Sequence, residues 1–115
     1  MKTLLMSLAV LGIAGCASAP MPAVGLQRSE ASIRGAEEMG ALGIPAARLH
    51  LEMAKDQDAR GKKMAAAGDA RAVLVLARAE SDAELAMGLA REAAVHASAL
   101  KATEDLKAVR ARGNP

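Results

Sequence analysis

The chain has 115 residues, 15 of them lysine or arginine and 13 aspartate or glutamate, for a formal net charge of +2. It contains one cysteine and no phenylalanine, tyrosine or tryptophan. This leaves room for one small domain without a disulfide framework, and it excludes both a strongly basic nucleic-acid surface and aromatic stacking platforms. Alanine predominates and β-branched residues are few, a composition that favours helices.

Residues 1–15 have the parts of an export leader. Lys2 supplies the positive charge, Leu4 to Gly12 are almost wholly apolar, and small residues lead into Cys16. The apolar run falls well short of the ~20 residues needed to span a bilayer. Ile13-Ala14-Gly15-Cys16 has the order of a bacterial lipobox. It predicts cleavage between Gly15 and Cys16 and acyl chains, palmitate among them, on the Cys16 side chain and new N-terminus. A rival cleavage motif, Ala17-Ser18-Ala19, is followed directly by Pro20, which blocks the general signal peptidase. Burial contributes roughly 0.8 kcal/mol per CH₂, so two or three chains would hold the protein firmly to a membrane. Ala17, where an aspartate would retain the protein at the inner membrane, points to the periplasmic face of the outer membrane.

Residues 16–28, with Pro20, Pro22 and Gly25, are expected to form the lipid anchor and a flexible tether. Ser29 is the expected N-cap of a first helix that runs to about Leu42, with Ile33, Ala36 and Met39 or Gly40 on one face. Gly40, Gly43 and Pro45 then predict a break or sharp kink. A second helix should run from Pro45 to about Ala67, supported by the i,i+4 pairs Asp56–Arg60 and Asp58–Lys62. Its apolar stripe, Leu51, Ala54, Gly61 and Ala65, is interrupted by Asp58. Gly68-Asp69 is the clearest turn, with glycine ending one helix and aspartate capping the next.

From Asp69 to Arg112 only Gly88 disfavours helix, so a third helix of about 66 Å is expected. Ala72, Leu76, Ala79, Ala83, Ala86, Ala90, Ala93, Ala97 and Leu100 alternate steps of four and three along it. This is a heptad seam made largely of alanine, suited to close helix approach. The expected fold is all-α: a long antiparallel helical hairpin with a broken first arm, or alternatively a three-helix bundle with a projecting last helix. The expected divisions are a leader (1–15), the anchor and tether (16–28), the alanine-rich domain (29–112) and a tail (113–115).

The stretch GDARAVLVLARAESDAELAMGLAREA, Gly68 to Ala93, with LEMAKDQ at Leu51 to Gln57, resembles the helical envelope lipoproteins of domain-of-unknown-function family 4398. The resemblance extends over about Ser29 to Arg110. It implies an envelope role and no catalytic residues. Asp58 and Gly61 depart from it, standing where larger or more helix-favouring residues are expected.

No residue pattern predicts catalysis, a metal or a cofactor. His50 and His96 lie on different helices without a metal-binding motif, and Glu92–His96 is expected to be a surface pair, with His96 partly buried beside the seam. Glu80, Asp82 and Glu84 read as a solvated face, and no serine sits in a nucleophile elbow. Leu74 and Leu85 fall off the seam and are the candidate partner contacts, unless the first helix covers them. The expected function is therefore a non-enzymatic, lipid-anchored periplasmic scaffold or adaptor at the outer membrane. The expected partners are the membrane, through Cys16, and an envelope protein or a second copy, with no nucleic acid. An oligomeric coiled-coil spacer resembling murein lipoprotein and a lipid-binding helical module are the alternatives.

Overall fold

A computed structural model describes residues 22–113. Among them there are three helices and no strand: α1 (Pro22–Glu38), α2 (Pro45–Ala66) and α3 (Ala72–Arg112). The leader, Gly15, Cys16 and the first part of the expected tether lie outside the described residues. The fold class is all-α.

The first helix begins earlier than its local signals indicate. Pro22 is tolerated in a first helical turn, where its missing N–H has no intrahelical partner. Residues 22–28, expected to be flexible tether, are thus part of α1. Ser29 lies inside the helix and is buried, so it is not an N-cap.

Glu38 is the last residue of α1, and Gly40 follows in the left-handed conformation at φ 78°. A short 3₁₀ turn over Ala41–Gly43 and the extended residue Ile44 then lead into Pro45 at the start of α2. The expected kink is a full reversal. Ion pairs from Glu30 to Lys62 and from Glu37 to Lys55 set α1 antiparallel to α2. Gly25 lies opposite Leu76 and Gly35 opposite Met87, which makes α1 parallel to α3. The α2–α3 pair is the long antiparallel hairpin. The first helix folds back as a third member of the bundle and does not extend a broken arm, so the arrangement is the three-helix bundle with a projecting last helix.

The second turn follows its sequence closely. Gly68 takes φ 73°, its N–H bonds to the Ala65 carbonyl, and the Asp69 N–H bonds to the Met64 carbonyl. These two bonds satisfy end carbonyls of α2 in a Schellman arrangement. The Asp69 carboxylate accepts the Arg71 backbone N–H at 2.9 Å and the Arg71 guanidinium at 2.7 Å. It caps the turn just before α3 and does not occupy the N-cap position itself.

The core is built on the alanine seam of α3. Ala72, Leu76, Ala79, Ala83, Ala86 and Ala90 are all buried, and the last three form one cluster with Ile33 and Ala36 of α1 and Ala47, Leu51 and Ala54 of α2. Beyond Ala90 the seam leaves its partners: Ala93 is half-buried, and Ala97 and Leu100 are exposed. About the last 20 residues of α3, roughly 30 Å at 1.5 Å per residue, project past the Gly40–Pro45 corner. Met39 and Gly40, the alternatives for the third position on the face of Ile33 and Ala36, are both exposed at that corner.

Glycine fixes the closest approach. A Cβ on Gly61 would lie 2.5 Å from Leu76 Cδ2 and 2.7 Å from its Cγ, and one on Gly25 would lie 3.3 Å from Leu76 Cβ. Leu76 is fully buried and cannot swing aside. Gly61, a departure in the sequence, is therefore the hole that receives this side chain.

Gly61→Ala should destabilise the bundle by about 1–2 kcal/mol despite the better helix propensity of alanine, because overpacking outweighs it. Gly88→Ala, at a position with no neighbour within 4 Å, should stabilise it by about 0.8–1.0 kcal/mol; thermal melts followed by far-ultraviolet circular dichroism read both signs. The Arg71 side-chain and backbone hydrogen bonds hold the Asp69 carboxyl at about 2, below its ordinary 3.8. Its contribution to stability is thus complete above pH 3.8 and is lost as the pH falls through about 2. In carboxyl-detected NMR titrations Arg71→Ala should raise the Asp69 midpoint toward, but short of, 3.8, since the backbone donor remains.

Candidate functional site

Two polar clusters and one exposed face stand out from the alanine packing. The first cluster lies between α1 and α2. Asp58 is only 5% exposed and interrupts the apolar stripe of α2. The Ser29 hydroxyl lies 2.6 Å from Asp58 Oδ1 and 3.1 Å from the Leu26 carbonyl oxygen. Its single proton goes to the nearer, charged acceptor, because charge-assisted hydrogen bonds are the stronger. Lys62 contacts Asp58 Oδ2 at 2.7 Å and Glu30 at 2.8 Å, completing the cluster. Hydrogen bonds to Asp58 and then Glu30 raise the Lys62 pKa above its ordinary value, so the ammonium is charged throughout the neutral range.

The second cluster ties α2 to α3. His50 Nδ1 is 3.1 Å from Asp82 Oδ1, and the Gln57 side-chain amide donates to Asp82 Oδ2 at 2.8 Å. Gln57 Oε1 is buried without a hydrogen-bond partner. Asp82, expected on a solvated face, is therefore half-buried in an interhelical bridge. Glu84 remains exposed and Glu80 is half-buried. Among the described residues, no three His, Cys, Asp or Glu side chains form a group that could hold a metal ion.

The candidate contacts Leu74 and Leu85 are both exposed on α3 and are not covered by α1. His96 is also exposed, in place of its expected partial burial. With Glu92 it lines a wide, open recess of about 870 Å³ where Ile44 and Ala46 meet Leu89, Ala93 and Val95 of α3. The lining is mainly apolar, and it suits a packing partner better than a reacting substrate. Cys16 and its cleavage partner Gly15 fall outside the described residues.

Sequence reasoning missed the Ser29–Asp58 pair. The signal was present, since an aspartate at a stripe position needs a partner when buried. That partner is 29 residues away in sequence. Ser29→Ala should leave Asp58 Oδ1 short of its donor and lower stability by about 1–2 kcal/mol after the gain in helix propensity. Urea denaturation at neutral pH measures this. A change near zero would mean that water replaces the hydroxyl and that the pair contributes nothing.

No family model, curated protein or solved structure was found to match the chain.

Proposed function

We propose that the protein is a non-enzymatic lipoprotein scaffold or adaptor of the bacterial envelope, held at the periplasmic face of the outer membrane by acyl chains on Cys16. The observation that carries this reading is the lipobox Ile13-Ala14-Gly15-Cys16 behind a short charged and apolar leader. The resemblance to domain-of-unknown-function family 4398 agrees with it, as does an alanine-rich helical body. No helix among the described residues is long and apolar enough to cross a membrane, so attachment on this reading falls to Cys16. The projecting half of α3 supplies the contact surface that an adaptor requires. An oligomeric envelope spacer is the second reading, favoured by the large apolar side chains that α3 leaves exposed.

Cells expressing the native chain and fed an alkyne-tagged palmitate should yield a labelled protein in the outer-membrane fraction. Cys16→Ala should lose the label and leave that fraction. An unlabelled native protein would overturn the anchor. Crosslinking of the lipidated protein in intact cells should capture a specific envelope protein that is lost with Cys16→Ala, whereas capture of its own copies alone would favour the spacer.

A further inference from the structure

The third helix has two seams on opposite sides. The inner seam, Ala72 to Ala90, faces α1 and α2. A second frame, displaced by two residues and so by about 200° around the helix, alternates the same steps of four and three. It runs through Leu74, Arg78, Ser81, Leu85, Gly88, Glu92, Val95, Ala99, Ala102, Leu106 and Val109, and every one of these residues is exposed. Leu74, Leu85, Val95, Leu106 and Val109 are between 46% and 69% exposed, and the only other large exposed apolar residue on α3 is Leu100. Exposed apolar side chains in register over this length are not the scatter of an ordinary surface.

The frame is unequal along its length. Arg78, Ser81 and Glu92 interrupt it over the bundle, and a charged pair facing its own copy at such positions would be repelled. From Val95 to Val109 it is apolar at every step. Val95 and Ala99, at the near end of this face, border the open recess beside Ile44 and Ala46, and from Ala102 onward the face projects beyond α1 and α2, where another helix can lie along it.

We infer that Val95, Ala99, Ala102, Leu106 and Val109 form the seam of a parallel, in-register coiled coil with a second copy of this chain. The charges beside the seam select that occupant and that sense. With Ala99 and Leu106 at a and Val95, Ala102 and Val109 at d, Asp105 falls at g and Arg110 at e. In a parallel pair each Asp105 meets Arg110 of the second copy, and symmetry makes two such pairs. An antiparallel crossing centred on Ala102 sets Asp105 beside Ser98 of the second copy and forms neither pair. Two alanines among five seam residues bury less than the ~1,200 Å² of a standard interface, so the association is weak and reversible. It stands on α3 alone and does not depend on the anchor at Cys16.

The test uses the full chain with Cys16→Ser as a cysteine-free background, oxidised after single substitutions to cysteine. Val95→Cys and Val109→Cys should each give a disulfide-linked dimer, while Ala97→Cys and Ala108→Cys, on the opposite side of the same arm, should give less than roughly a tenth as much, because a seam position brings Cβ atoms within disulfide range. In sedimentation equilibrium without added cysteines, Asp105→Arg should weaken the dimer by about ten-fold, and Asp105→Arg combined with Arg110→Asp should restore it. These positions are exposed, so loss of the fold does not mimic the result. Equal crosslinking on both sides, crosslinking at Ala102→Cys but at neither end, or no rescue by the charge swap would each overturn the proposal. So would flotation with phosphatidylglycerol vesicles that Leu106→Glu abolishes, since the face would then belong to lipid. The palmitate label is a separate readout, so failure of the dimer and failure of the anchor are distinguishable.

Discussion

The bundle depends on one side chain seated between two glycines. Leu76 of α3 packs against Gly25 of α1 and Gly61 of α2, and there is no space for a methyl group at Gly61. Most of the remaining core is alanine, which buries little area for each residue. Such a core gains its cohesion from dispersion between closely spaced helices, and these contacts weaken steeply with small gaps. The glycines permit that spacing. Met87 against Gly35 repeats the device about three turns further along the parallel pair α1 and α3.

Small, repetitive side chains bring a second difficulty, because one alanine fits a neighbouring helix much like the next. The polar clusters address it. Ser29 with Asp58 and Lys62 fixes α1 against α2, and Asp82 with His50 and Gln57 fixes α3 against α2. A slip of α1 by one turn would take Ser29 from Asp58 and Glu30 from Lys62, leaving the buried carboxylate only the lysine of its own helix, a heavy penalty for a buried charge. In this molecule polar contacts select the register and apolar contacts supply the cohesion.

This division explains what could be read in advance. The seam from Ala72 to Ala90 and the turn at Gly68-Asp69 are local patterns, and the fold realises them almost residue for residue. The reversal at Gly40 was visible only as an interruption, because glycine and proline mark where a helix stops and not the direction the chain takes next. Ser29 carries the chemistry of a helix cap, yet Pro22 begins the helix two turns earlier and leaves Ser29 facing α2. Asp58 and Gly61 looked like defects because the groups that complete them, Ser29 and Leu76, come from other helices. The proposed anchor at Cys16 rests on the sequence alone, and that residue lies outside the described ones.

The position of Gly88 gives the projecting arm a mechanical character. It sits two residues before Ala90, the last seam residue buried against the other helices, and an added Cβ there would meet nothing within 4 Å. From there to Arg112 the helix is a lever about 36 Å long. A bend of about 10° at this residue moves the tip by roughly 6 Å, enough to sweep a volume wider than the helix's own radius. Alanine at this position would remove the extra backbone freedom of glycine and stiffen the base of the arm.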